Sequence, residues 1–140
     1  MEFNWSHRSL EKIDTCQEEL GTVLQTALSL SPFDITVICG ARGIQEQQEA
    51  FESGASKKHW PDSMHNCPDP AQLSRAADIA PWINGTINWK DEGSFYVLAG
   101  VMLASANLVG VRLAYGGDWN HNGLTEDQGF NDLGHFYLLK

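Results

Sequence analysis

The stretch Ser63-Met64-His65, followed by Ala76-Ala77-Asp78-Ile79-Ala80-Pro81-Trp82, decides how this chain is read. A histidine precedes an aspartate set in a short apolar run. In an extended strand Ala77 and Ile79 share one face and Asp78 takes the other. A carboxylate in such company is costly unless a cation or hydrogen-bond donors receive it. Far downstream the chain closes on Asp132-Leu133-Gly134-His135-Phe136-Tyr137-Leu138-Leu139. His65, Asp78 and His135 can together fill three positions around a zinc ion and leave the fourth for water. Asp132, three residues before His135, stands where it could move a proton on that water. The plainer readings stay open at this point: two ordinary histidines, and a turn aspartate in Asn131-Asp132-Leu133-Gly134.

Composition bounds the rest. With 140 residues, 42% of them hydrophobic, the chain is long enough for one domain with a real core. A formal net charge of −9 argues against nucleic acid and against an anionic membrane surface. The longest apolar run, around residues 97–108, is interrupted by Gly100, Ser105 and Asn107, short of the roughly 20 residues that span a bilayer. The opening Met1-Glu2-Phe3-Asn4-Trp5-Ser6 has no basic and apolar regions of a secretory signal, so any work outside the cytoplasm would need another export route. Cys16, Cys39 and Cys67 are an odd number without C-x-x-C spacing, and they read as free thiols. Cys67, two residues past His65, is a rival metal donor.

In chain order, the spacing of Leu10, Ile13, Leu20, Val23, Leu24, Ala27 and Leu28 predicts one helix over residues 9–30, with Ser9 as N-cap. Residues 33–40 are β-branched and predict a strand, and Gly40-Ala41-Arg42-Gly43 turns it into a helix over 44–53. Residues 66–73 hold Pro68 and Pro70 and predict an irregular excursion. A strand is expected over 75–81 and a hairpin-like turn at Asn84-Gly85. Residues 91–109 predict a buried helix, apolar and rich in small side chains, capped by Gly110. Strands over 111–115 and 135–139 complete an α+β domain, with helices packed on a small sheet.

Two further features carry chemistry. Arg42, at a strand-to-helix turn, could hold a substrate carboxylate or a developing oxyanion, and Gln47, one turn later, could offer its amide. Separately, Asp118, Asn120 and Asn122 place oxygen side chains at alternate positions, with Gly123 next. This is the first half of an EF-hand calcium loop. Gly129 stands where the bidentate glutamate belongs, so Glu126 or Asp127 would have to substitute in a shortened loop; an acidic turn rich in Asn and Gly is the alternative.

The combination resembles the VanY-type zinc peptidases, and most closely the phage L-alanyl-D-glutamate endopeptidases. The similarity runs over nearly the whole chain, through Trp5-Ser6-His7-Arg8-Ser9-Leu10, Gly40-Ala41-Arg42, Ser63-Met64-His65, Ala76-Ala77-Asp78 and Asp132-Leu133-Gly134-His135. The family pattern S-x-H, A-x-D and a final H implies His65, Asp78 and His135 as zinc ligands. It implies Asp132 as catalytic acid and base, Arg42 as a catalytic and substrate-binding residue, and Gln47 and Ser63 as substrate-binding. Two departures stand out: residues 66–73 lengthen the first spacing, and Ser74 replaces a usual glycine.

The fold implied is a single α+β domain of Hedgehog/DD-peptidase type over residues 1–140, its antiparallel sheet carrying the zinc, with no separate wall-binding module. The implied function is zinc-dependent cleavage of the peptidoglycan stem peptide at the L-Ala–D-Glu bond; calcium stays a candidate ion only from the spacing of the Asp118 loop. The enzyme would act as a monomeric phage endolysin, held in the host cytoplasm and released to the wall through holin pores. A D-alanyl-D-alanine carboxypeptidase of the same fold and a non-catalytic, metal-binding phage structural component are the alternatives.

Overall fold

The computed structural model describes residues 2–69, 71–117 and 132–139. The described elements are, in order, α1 (His7–Ile13), α2 (Glu18–Leu30), β1 (Asp34–Cys39), α3 (Ile44–Glu52), β2 (Ala76–Trp82), α4 (Glu92–Val109), β3 (Leu113–Tyr115) and β4 (His135–Leu138). The strands form one antiparallel sheet in the order β1-β2-β4-β3. The two motif strands, β2 and β4, are therefore its centre, with Asp78 directly opposite His135.

Strand alternation divides the labour between the two faces. Ala77, Ile79, Phe136 and Leu138 turn to one side and join the core with Leu20, Val23, Leu24, Ala27 and Leu28 of α2 and Leu98, Ala99, Met102 and Ala106 of α4. Each fully buried leucine contributes about 1.5–3 kcal/mol of apolar burial. Asp78 and His135 turn the other way.

The single helix expected over residues 9–30 is two helices. The chain breaks at 14–17 because those backbone groups are engaged elsewhere. The Ser74 amide donates to the Thr15 carbonyl at 2.8 Å and the Gln17 amide to the Ser74 carbonyl at 2.9 Å, a short parallel pairing that a continuous helix would forbid. The Thr15 hydroxyl donates to the Lys12 carbonyl at 2.6 Å and accepts from the Ala41 amide at 2.9 Å. Gly40 sits against this break; a Cβ there would come within 2.5 Å of the Lys12 carbonyl oxygen.

The N-cap is also corrected. Ser6 caps α1 by accepting from the Ser9 amide at 3.1 Å. Ser9 is instead buried within α1, where its hydroxyl receives the Val37 amide at 3.0 Å. That contact covers the open edge of β1, whose outward N–H groups would otherwise lack partners.

The Asn84-Gly85 turn takes the expected form, with φ of 55° and 72° at the two residues and reciprocal bonds between Ile83 and Thr86. Asp91 caps α4, accepting from the Ser94 amide at 3.2 Å, and Gly110 closes it at φ 74°. The expectation that α4 is buried holds only for one stripe, since Val97, Leu103 and Leu108 are exposed. By length and composition alone α4 could cross a membrane, despite the interruptions noted above; here it packs on α2, β2 and β3. The candidate calcium residues Asp118, Asn120, Asn122 and Glu126 lie outside the described residues.

Ser9→Ala removes the acceptor for a buried amide. It should lower unfolding free energy by about 1–3 kcal/mol, read as a shift of the urea midpoint.

Candidate metal centre and active site

Asp78 reaches the site face because β2 is central and its alternation leaves that side chain no place in the core. Its two oxygens are divided among three partners. Oδ1 lies 2.9 Å from His135 Nδ1 and 3.3 Å from His65 Nε2, and Oδ2 lies 3.3 Å from an Arg42 guanidinium nitrogen. The two ring nitrogens face each other at 3.2 Å. Side chains 57 and 13 positions from Asp78 along the chain thus share one small volume.

His65 is held in place by its other nitrogen. Nδ1 lies 2.7 Å from the Gly40 carbonyl oxygen. A carbonyl can only accept, so Nδ1 carries a proton, and Nε2 is the nitrogen turned to Asp78 and His135 that could ligate an ion once its own proton is lost. The loop around it is fixed by its neighbours: the His65 amide donates to Ser63 Oγ at 3.2 Å, and the Ser63 amide donates to Asn66 Oδ1 at 3.1 Å. The Arg42 amide donates to the His65 carbonyl at 2.8 Å, tying the start of α3 to the histidine loop.

The three donor atoms fit a metal ion. Around a tetrahedral zinc with bonds of about 2.0–2.1 Å, donors stand about 3.3 Å apart. The three separations here are 2.9, 3.2 and 3.3 Å. Two imidazoles and one carboxylate are also a donor set that zinc accepts with one position left open.

Without an ion the electrostatics fall to protons. Burial alone would push His65 down, but the bond to Asp78, the Cys39 side chain beside the ring and the Asp78 charge outweigh it and raise the group to about 10. Burial works to raise Asp78, yet its bonds to His135 and His65 and their charges hold it far below the ordinary carboxylate range. Asp132 moves the opposite way. Burial first, then the neighbouring Asp78 charge, lift it above a normal aspartate, against the lowering pull of His135, His65 and Arg42. Its carboxylate oxygen lies within 4.8 Å of the donor atoms of Asp78 and His135. The turn that presents it is pinned by two bonds, from the Asp132 amide to the Gly116 carbonyl at 3.0 Å and from the His135 amide to the Asp132 carbonyl at 3.2 Å. Gly116 allows this approach, since a Cβ there would stand 2.9 Å from that of His135.

The sequence model of the family described as "Phage L-alanyl-D-glutamate peptidase" matches residues 1–139. The chain belongs to this family. It is 32% identical to the L-alanyl-D-glutamate peptidase of Escherichia phage T5 over 143 aligned positions, covering 99% of this chain and 100% of that one. In fold it is similar to the L-Ala D-Glu endopeptidase ChiX of Serratia marcescens, with a TM-score of 0.77 at 23% identity, covering 99% of this chain and 91% of that chain.

Placed on this phage peptidase fold, the expected residues separate into two groups. His65, Asp78, His135 and Asp132 converge. Arg42 stands beside them, its guanidinium bonded to Asp78 and, at 2.9 Å, to Gln47 Oε1. Gln47 differs from the substrate contact expected of it. It is fully buried, and its amide donates to Ser56 Oγ at 3.0 Å and to the Lys58 carbonyl at 2.7 Å while accepting from Arg42 and Asn66. Its amide is saturated inside the protein and orients Arg42. Ser63 likewise turns its hydroxyl inward to the His65 amide.

Asn66 escaped the sequence reading, because a lone asparagine at a loop start carries no signal. Here it bridges the Arg42 carbonyl, Gln47 and the Ser63 amide. Cys67 stays out of the donor clusters found among the described residues.

His65 contributes stability to the metal-free protein that is full below about 6.5 and lost as pH rises through about 10. Asp78 contributes above its ordinary range and loses that contribution as pH falls. Melting temperatures of chelator-treated protein should therefore decline from neutral toward alkaline pH, and Asp78→Asn should flatten the decline. A zinc ion bound at His65 Nε2 would have to displace that proton, so zinc affinity, measured by competition with a chromogenic chelator, should rise across the same range.

Proposed function

We propose that the chain is a zinc-dependent peptidase that cuts the L-alanyl–D-glutamate bond of the peptidoglycan stem peptide. The observation that carries this reading is the convergence of His65, Asp78 and His135 at tetrahedral donor separations, with the raised carboxyl of Asp132 at their edge. Membership of the phage peptidase family supports the bond and the substrate.

Zinc bound at the three donors would acidify a water molecule and polarise the scissile carbonyl. Asp132 takes the proton from the attacking water. Its lifted pKa favours keeping that proton until the amine leaves, when Asp132 delivers it to the nitrogen. Arg42 meets the negative charge that develops on the carbonyl oxygen, or a carboxylate of the D-glutamyl residue. Gln47 and Asn66 hold the Arg42 segment in register with the histidine loop. In its biological setting the enzyme works as a phage endolysin, made in the host cytoplasm and delivered to the wall through a separate pore.

Digestion of purified muropeptides, followed by mass analysis, tests the bond: fragments should split after the first L-alanine. Release of terminal alanine instead would reassign the enzyme to carboxypeptidase action. Asp132→Ala should abolish digestion while zinc, measured by elemental analysis, stays bound. Arg42→Lys should lower kcat by about a hundredfold or more, the scale of losing one donor to an oxyanion.

A further inference from the structure

A third strand delivers a side chain to this centre. Cys39, at the end of β1, lies in register with Asp78 on β2. Its place there depends on an irregularity in the pairing. Val37 pairs with Ile79 and Cys39 with Asp78, so Ile38 is an extra residue on the β1 side. Such a bulge re-aims the side chain that follows it. Without it Ile38 would oppose Asp78. With it, Ile38 is pushed outward to 39% exposure and Cys39 comes to the face that carries the site. The Cys39 sulfur, a ring nitrogen of His65 and a carboxylate oxygen of Asp78 all lie within 4.8 Å of one another.

Thiolate, imidazole and carboxylate are a complete set for a thiophilic divalent ion. We propose that Cys39 is a fourth protein donor at this centre, able to close the coordination position otherwise left open. The inference rests on the metal reading of His65, Asp78 and His135 given above. Coordination exchanges one ligand for another without redox chemistry. The ion binds the sulfur, the thiol proton passes to solvent, and any water at that position departs. A soft ion such as cadmium favours this closed arrangement more than zinc does, because sulfur is the softest donor present. The centre would then have two forms: an open one that hydrolyses and a sulfur-closed one that cannot.

The other thiols are poor rivals. Cys16 is buried, and desolvation pushes it up to about 12. Cys67 is absent from the donor clusters of the described residues.

Cobalt(II) reports the ligand directly. Chelator-stripped protein is titrated with cobalt alone, and separately with cadmium alone, for wild type, Cys39→Ser and Cys67→Ser. The wild type and Cys67→Ser should show a near-ultraviolet sulfur-to-cobalt charge-transfer band. Cys39→Ser should lack it while keeping the visible bands of bound cobalt, and should bind cadmium at least about tenfold more weakly, with zinc affinity changed less. Identical cobalt spectra in wild type and Cys39→Ser, or a band lost only in Cys67→Ser, would overturn the proposal. Should Cys39→Ser fail to fold, alkylation mapping of the wild type replaces it: cadmium should shield Cys39 from iodoacetamide, and unchanged labelling refutes the idea. Zinc binding without sulfur ligation would sink this inference alone, whereas failure of any of these ions to bind would sink the metal reading as well.

Discussion

A carboxylate in the middle of a sheet needs neighbours that answer its charge. Asp78 lies on a central strand, with apolar Ala77 and Ile79 on either side and the core behind it. In water such a group would be solvated; here two imidazoles and a guanidinium take that place. Much of the local architecture follows. β4 must run beside β2 for His135 to face Asp78. The loop before β2 must fold back for His65. The turn after β1 must bring Arg42 to the far oxygen. Each is fastened by backbone bonds that do not involve the charge itself, such as the one from Arg42 to the His65 carbonyl. The scaffold therefore imposes the geometry, and the electrostatics exploit it. A divalent ion resolves the arrangement more fully than protons can, because it faces all three donors at once.

The buried network behind Arg42 extends the same logic outward. Gln47 is wholly enclosed, and both ends of its amide have two partners. Low dielectric strengthens such bonds and makes any gap in them expensive. Arg42 is consequently a rigid feature of the site, not a mobile surface side chain. A guanidinium already oriented needs little reorganisation when charge develops before it.

Much of this was legible in the residues. Strand alternation around Asp78 gave the face that this carboxylate takes, and the apolar run after His135 marked the last strand; that the two strands are neighbours at the centre of the sheet came only with the fold. Turn chemistry at Asn84-Gly85 and the cap at Gly110 were local, and local rules suffice for them. Failures came where distant segments intervene. The break between α1 and α2 exists because Ser74 pairs with residues 15–17, a partner that helical periodicity cannot reveal. Ser9 looked like a cap because serine favours caps; its actual partner, Val37, belongs to another element. Gln47 and Asn66 form contacts across three segments, and nothing in either residue's immediate neighbours announces them. Cys39 was hidden by a one-residue bulge, which reverses the face that simple alternation assigns.

The excursion that begins at residue 66 leaves and rejoins the fold at a fastened neck. Ser74 is fully buried; its hydroxyl donates to the Ala76 carbonyl at 2.7 Å, and the Arg75 amide donates to the Met64 carbonyl at 3.2 Å. With both ends clamped beside the histidine, the length of the intervening segment is decoupled from the position of His65. Lengthening a closed loop raises the entropic cost of closing it only logarithmically, by about 0.6 kcal/mol for each doubling. Insertions or deletions within this segment would therefore leave its fastened ends, and the histidine loop beside them, in place.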